Sequence, residues 1–266
     1  MVSYLPTEPE LEVLYLIFIT VTGICFGSFA NVCIYRLPFN NNLIKPSHCL
    51  KCLAPIPFYH NIPILSYLFL RGKCSCCQIK LSAQYPLVEI IGGLGALTAY
   101  HMYGGLTLNS LYAYILFMSL IIIFFTDLNE YIIPNVITYP LSFLGIFHVY
   151  MSNSIFDISL NNSVLSGLFA GGIFYVTAKL FLIIRKQEGM GMGDVKMIAM
   201  IGFWMGIENT LLTIILSSFL GSIIGISLII SNKMDRATHI PFGSFISIGC
   251  LAVWMNNLTL QLSIFP

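Results

Sequence analysis

Two aspartates at the edges of apolar runs have the residue type and setting for acid–base chemistry. Asp127 follows the apolar run 121–125, and Asp194 lies in the glycine-rich stretch GMGMGDVKM at 189–197. Ionisable groups at membrane depth are costly, so each aspartate is a candidate functional residue. Two carboxylates in a partly desolvated cleft share one proton, because both cannot ionise cheaply. One carboxylate then activates a water to attack a peptide carbonyl, and its protonated partner polarises that carbonyl and later protonates the leaving amine.

Taken one at a time, these residues also have simpler interpretations. Each aspartate could be a helix-end residue in the headgroup region, and Asp194 would suit the N-cap of the helix that follows it. Gly191 and Gly193 either let the backbone approach an extended substrate or serve small-residue helix packing. Lys196 is expected to contact lipid headgroups, and Glu89 is either an interfacial carboxylate or part of a second site.

Four cysteines have the spacing of a zinc site. Cys49 and Cys52 form one C-x2-C pair, and Cys74 and Cys77 form a second pair after 21 intervening residues. Two such pairs present four thiolates to one tetrahedral Zn²⁺ ion. Disulfides are the alternative, which a reducing cytoplasm disfavours. The neighbouring Cys76 complicates the second pair, but only Cys74 with Cys77 keeps the spacing. Four protein ligands leave no open position on the metal, so the ion would be structural.

The elements that must position these residues are membrane helices. Hydrophobic residues make up 57% of the chain and charged residues 9%, against roughly 25% charged residues in soluble domains. Charge-poor runs of about 20 residues, the length that crosses a bilayer, predict an all-α integral membrane protein with about eight transmembrane helices. The predicted spans are 13–35, 86–104, 109–126, 132–151, 163–184, 190–207, 209–231 and 240–260.

The basic residues orient these spans. With eight crossings, 11 of the 12 Lys and Arg fall on one face of the membrane, and Lys179, near the end of the fifth span, can snorkel to the same face. The positive-inside rule makes that face cytoplasmic. Both termini are then predicted outside, and both aspartates at the cytoplasmic side. Glu8, Glu10 and Glu12 stand where a cleavable signal peptide would have basic residues, so the first helix is expected to remain in the mature protein. No basic tract interleaved with aromatic residues suggests a nucleic-acid partner.

The main polar segment divides the chain into three predicted domains. Residues 1–35 hold an outer N-terminal tail and the first transmembrane helix, 36–85 form a small cytoplasmic cysteine-rich insert, and 86–266 form a multi-helix membrane domain. The insert holds six of the 12 Lys and Arg and five of the eight Cys. Its roughly 50 residues are near the size at which a metal usually helps to stabilise the fold.

Seven motifs, in this order, resemble those of bacterial type IV prepilin peptidases. The similarity runs from about residue 23 to about residue 250, and the motif spacing agrees with the predicted topology. The motifs are GSFANVCIYRLP (27–38), SHCLKC (47–52), NIPILSYLFLRGKCSCC (61–77), YPLVE (85–89), TDLNEYIIPN (126–135), GMGDVKM (191–197) and IPFGSF (240–245).

The resemblance implies a membrane aspartic endopeptidase of the G-x-G-D class in the bacterial inner membrane. Such enzymes remove the short basic leader of type IV prepilins or type II secretion pseudopilins, cleaving after Gly at the cytoplasmic face. The family's catalytic aspartates correspond to Asp127 and Asp194, and its four-cysteine motif corresponds to the two C-x2-C pairs. Many members also N-methylate the new N-terminus with S-adenosylmethionine, a step associated with the insert.

Other classes of function remain open on the residues alone. A proton-coupled transporter would use the carboxylates as a relay, but its acids should lie near mid-membrane, often in paired repeats, and no repeat is visible. A non-catalytic scaffold of pilus or secretion assembly would need the cysteines and not the aspartates. A presenilin-type intramembrane protease shares the G-x-G-D element, but the cysteine insert and the IPFGSF ending argue against it.

Overall fold

The protein is all-helical over the residues that its computed structural model describes, as the sequence predicts. The described residues are 9–49, 51–151, 155–186, 189–231 and 240–264. Two short 3-10 turns lie at Leu37–Phe39 and Phe58–Asn61. The α-helices are α1 (Pro9–Arg36), α2 (Leu65–Phe69), α3 (Gln84–Met102), α4 (Leu108–Glu130), α5 (Asn135–Met151), α6 (Leu160–Arg185), α7 (Met192–Ile230) and α8 (Phe242–Ile264).

Four of the described segments are long and apolar enough to cross a membrane. They are Leu11–Phe39, Leu108–Glu130, Leu160–Arg185 and Met192–Ile230, and Phe242–Asn256 is a shorter apolar helix. The other predicted spans also fall on helices, because 86–104 overlaps α3, 132–151 overlaps α5, and two spans share α7. The chain is therefore a helical protein with several membrane-crossing segments, while the count of eight stays a prediction.

The first compact unit, Met1–Met118, is built on the contact between α1 and α3. Small residues let these helices approach closely, since a Cβ on Gly27 would lie 2.7 Å from the Cα of Glu89. The hydroxyl of Tyr114 donates to the carbonyl of Gly23 at 3.2 Å and adds a polar tie to this packing. The cysteine-rich insert lies between α1 and α3 in the sequence and belongs to the same unit.

The second compact unit, Ser119–Pro266, is centred on α7, which packs against α5, α6 and α8. Trp204 and Met205 of α7 and Ile246 of α8 are almost fully buried there. Large apolar side chains such as Phe143 and Leu165 are exposed on the outer surfaces of the helices. Exposed apolar surface of this kind is what a lipid-facing helix needs, because the lipid tails solvate it.

A backbone break divides α7 between its two predicted spans. Gly206 has φ 72° and ψ 178°, a combination that is essentially limited to glycine. The backbone N–H of Ile207 donates a hydrogen bond to Oδ1 of Asn162 in α6 at 3.4 Å. This bond gives a partner to a backbone group that the break leaves without one inside the helix. The predicted boundary at 208 lies two residues from this glycine.

Replacing Gly206 with Ala is expected to destabilise the protein by about 1–3 kcal/mol, the usual cost of a side chain in such a conformation. The added Cβ would also lie 3.1 Å from Ile158 and 3.2 Å from Asn162. Denaturant unfolding in detergent measures the effect. Gly172→Ala in α6 is the matched control, because nothing lies within 4 Å of its added Cβ. Equal stability of the two variants would contradict this role for Gly206.

Candidate active site and metal centre

Asp127 lies in the last turn of α4 and is held by the first turn of α8. Its side chain is 5% exposed, and its Oδ2 accepts the backbone N–H of Ser244 at 2.8 Å and the Ser244 hydroxyl at 3.2 Å. The first N–H groups of a helix have no partner within the helix, and its dipole favours a negative group at that end. The start of α8 therefore fixes the position of this carboxylate.

Sequence reasoning did not predict Ser244 as a site residue. It belongs to the IPFGSF motif at 240–245, which supports the family resemblance and argues against a presenilin-type protease but does not by itself mark the serine as a site residue. A signal was nevertheless present, because a proline next to the first helical residue, here Pro241 before Phe242, is typical of a helix start. A helix start facing a buried aspartate is a natural anion site, but the facing pair is visible only in three dimensions.

Asp194 lies in the first turn of α7, three residues after the N-cap residue Gly191. The sequence interpretation of Asp194 as the N-cap of the following helix is therefore wrong. The helix starts earlier, at Met192, because the flexible glycines accommodate the change of direction. The Asp194 side chain faces the backbone N–H of Gly191 and lies 3.2 Å from the place of a Cβ on that residue. A carboxylate reaching back from the first turn in this way stabilises a helix N-terminus.

Ile133, in the link between α4 and α5, contacts the surroundings of both aspartates. A Cβ on Gly193 would lie 3.0 Å from the Ile133 Cβ, and a Cβ on Gly243 would lie 2.6 Å from its Cδ1. The Gly243 position is also 3.1 Å from Asp127 Oδ2. The two carboxyl groups are near enough to interact electrostatically. The two aspartates therefore come close together inside one compact unit, with glycine backbone on both sides.

Lys196 contacts the start of α5. Its Nζ donates to Asn135 Oδ1 at 3.0 Å and lies 5.3 Å from the centre of the Tyr139 ring. The expectation that Lys196 contacts lipid headgroups therefore omitted its protein partners. These contacts join α7 to α5 within two residues of Asp194, and they help to hold the link that contains Ile133.

The cysteine cluster has the composition and spacing of a metal site. The sulfur atoms of Cys49, Cys52, Cys74 and Cys77 all lie within 4.8 Å of one another. Cys76 is outside this group, in agreement with the choice of Cys77 that the spacing favours. The distance between the Cys49 and Cys77 sulfurs is 3.8 Å, and tetrahedral zinc with bonds of about 2.3 Å needs sulfurs about 3.8 Å apart. These residues could hold a metal ion.

Two matching turns build this cluster. The N–H of Cys49 donates to Ala54 O at 3.0 Å, and the N–H of Cys74 donates to Ile79 O at 2.9 Å. The backbone has positive φ at the same place in both turns, 56° and 57° at the fifth residue of each. The N–H groups of Cys52 and of residue 51 lower the pKa of the Cys49 thiol to about 6, because they stabilise its thiolate.

The fold and the site define a helical membrane protein with two convergent carboxylates and a four-cysteine cluster. Residues 21–103 match the Bacterial Peptidase A24 N-terminal domain, and residues 114–226 match the Type IV leader peptidase family. The chain belongs to the bacterial type IV prepilin peptidase family, as the motifs predicted.

Relatives in several bacteria share most of this chain. A prepilin leader peptidase/N-methyltransferase of Aeromonas hydrophila is 31% identical to this chain, and the aligned region covers 92% of this chain and 93% of that protein. The protein of the same name in Pseudomonas aeruginosa is 32% identical over 97% of this chain and 96% of its own length. The one in Neisseria gonorrhoeae is 31% identical over 89% of this chain and 89% of its own length. No solved structure matches the chain significantly.

Proposed function

We propose that this protein is an aspartic endopeptidase that removes the leader of type IV prepilins or type II secretion pseudopilins after Gly. The cut is made at the cytoplasmic face of the inner membrane, and the new N-terminus is then methylated. The main support is the closeness of Asp127 and Asp194 in a family of leader peptidases. Asp127 is held by the first turn of α8, and Asp194 lies in the first turn of α7. Glycine backbone beside both carboxylates leaves room for an extended substrate strand.

The two carboxyl groups carry the hydrolysis between them. The ionised carboxylate takes a proton from water while the water oxygen attacks the scissile carbonyl carbon, and the protonated partner donates to the carbonyl oxygen. The tetrahedral intermediate then collapses, the C–N bond breaks, and the leaving nitrogen takes up a proton. The products are a leader ending in a carboxylate and a mature pilin with a free α-amine. The hydrogen bonds from Ser244 keep Asp127 in place throughout.

The cysteine cluster holds a structural Zn²⁺ ion in this proposal. The four-thiolate donor set and the 3.8 Å sulfur separation fit zinc. With all four positions of the ion taken by cysteine sulfur, the residues of the cluster cross-link the two turns of the insert. The cluster thereby supports the fold around it and takes no part in peptide hydrolysis.

The second activity needs a methyl donor. S-adenosylmethionine supplies an electrophilic methyl group, and the neutral α-amine of the processed pilin would attack it, lose a proton and leave S-adenosylhomocysteine. The chain's own part is to bind the donor and the amine side by side and to exclude water from them. The relatives that share most of the chain carry both activities in their names.

The proposed topology has eight crossings, with both termini outside and the insert in the cytoplasm. It rests on the sorting of the Lys and Arg residues to one face and on the division of α7 at Gly206. We divide the chain into three functional parts. Residues 1–35 form the first helix, 36–85 form a metal-binding insert associated with methylation, and 86–266 form the peptidase domain. This topology places the aspartates where a basic leader, held inside, meets the membrane surface.

One incubation tests the proposed function. The purified protein is mixed with a prepilin and isotopically labelled S-adenosylmethionine, and the product mass is read. The expected product has lost its leader after Gly and gained one labelled methyl group. An unprocessed prepilin would contradict the peptidase and favour a transporter or scaffold, whereas cleavage without label would contradict only the methylation.

A further inference from the structure

A large cavity lies inside the first compact unit, whereas the two aspartates belong to the second unit. It has a volume of about 790 Å³, within the usual range for small-molecule sites. Its walls come from the second half of α1, the start of α3 and the insert. None of the residues assigned to peptide hydrolysis lines it, so the peptidase function does not explain its presence.

One wall of the cavity carries a buried carboxylate. Glu89 is 7% exposed, and its Oε2 accepts the backbone N–H of Ile64 at 2.6 Å. The Ser28 hydroxyl is its other partner. Both partners are neutral, whereas buried carboxylates are usually paired with a positive charge. The wall therefore offers a negative group to a cationic ligand.

Two buried polar atoms in the same cavity wall have no hydrogen-bond partner within the described chain. They are Asn31 Oδ1, on a side chain that is 4% exposed, and His60 Nδ1. The amide group of Asn31 is oriented by its Nδ2, which donates to Tyr85 O at 3.0 Å. Buried polar atoms are nearly always satisfied in native proteins. A ligand with N–H or O–H groups would satisfy them.

The backbone beside Glu89 is strained. Ile64 has φ 61° and ψ −52°, which is a genuine outlier for a β-branched residue. Strain of this kind is kept where the surroundings enforce it, and it clusters at binding sites. Here the hydrogen bond to Glu89 holds the strained N–H against the cavity wall.

The remaining walls suit a ligand that also carries an aromatic base and a negatively charged group. Tyr35 and Tyr85 stack with ring centres 5.3 Å apart, and both line the cavity, which provides aromatic surface for a base. Lys45, Lys51 and Lys80 also line it and are exposed. The cavity thus combines a buried negative group, an aromatic wall and an exposed basic rim.

We propose that this cavity binds S-adenosylmethionine, with Glu89 facing its positively charged groups and Asn31 and His60 bonding its polar groups. This inference rests on the proposed function, because a methylating enzyme needs a donor site. It adds the location and the residues of that site. The exposed lysines are placed to attract the carboxylate of the ligand.

The test is direct binding of S-adenosylmethionine, without prepilin, to the purified zinc-loaded protein by isothermal titration calorimetry. Glu89→Gln keeps an acceptor for the N–H of Ile64 but removes the charge, and it should weaken binding at least about 30-fold. His60→Ala should weaken it about 3–10-fold. Glu130→Gln, an exposed carboxylate at the end of α4, is the matched control and should bind like the wild type.

Zinc content and circular dichroism show whether each variant is folded. If Glu89→Gln does not fold, the affinity of His60→Ala decides the inference. Unchanged affinity in the folded variants would overturn the inference, as would a wild-type protein that binds no S-adenosylmethionine. The wild-type product mass is measured on the same preparation. A methylated product together with unchanged affinity in the variants would place the donor elsewhere and leave the proposed function standing.

Discussion

Replacing Asp127 with Asn is expected to slow leader removal by at least about 100-fold, the smallest usual contribution of a general acid or base. Asn keeps an oxygen that accepts the N–H of Ser244, so the local structure should survive. It cannot take up or deliver a proton. Asp194→Asn should cause a loss of the same size, because each carboxyl group depends on the other. The rate is measured with a prepilin in detergent or liposomes.

Glu130→Gln is the matched control for this experiment. Glu130 is in the same turn of α4 as Asp127 but is exposed, so its replacement should leave the rate within a factor of about two, the usual size of surface effects. Normal processing by either aspartate variant would contradict the two-carboxylate mechanism. It would favour a scaffold in which the aspartates are dispensable.

Replacing Cys49 with Ser is expected to lower the zinc content from about one ion per chain to nearly none, because four thiolates are needed for the tight tetrahedral site. Structural zinc contributes about 10–16 kcal/mol of apparent binding free energy in small domains. Its loss should therefore unfold the insert and increase proteolysis within 36–85. Metal analysis and limited proteolysis measure both effects. Cys77→Ser should behave in the same way.

Cys76→Ser is the matched control, because Cys76 is next to Cys77 but lies outside the four-sulfur cluster. It should keep its zinc and its resistance to protease. Zinc retained in Cys49→Ser, or zinc lost only in Cys76→Ser, would show that the cluster has been assigned to the wrong residues. A chain purified without any bound metal and with an intact insert would contradict the structural role of zinc.

The helices could be predicted from sequence because lipid imposes a strong and simple constraint. A charge-poor run of membrane length must be helical to satisfy its backbone, and each predicted span overlaps a helix. The cysteine set was also predictable, since the C-x2-C spacing matches the turns that chelate zinc. The spacing also favours Cys77 over Cys76 as the fourth member, and the four-sulfur cluster contains Cys77.

The details of the site were not predictable, because they depend on contacts distant in the sequence. Asp127 and Ser244 are 117 residues apart, and no local pattern links a helix end to the start of another helix. The start of α7 was misjudged, since glycines permit several backbone paths before Asp194. Glu89 was left open between two interpretations, because its burial depends on how closely α3 approaches α1.

A double-mutant cycle tests the central claim that Asp127 and Asp194 act as one catalytic unit. Cleavage rates are compared for the wild type, the two Asn variants and the double variant under single-turnover conditions. Residues that share one step are strongly non-additive, so the double variant should be about as slow as the slower single variant. A double variant whose loss equals the product of the two single losses would show that the aspartates act independently and would contradict the account.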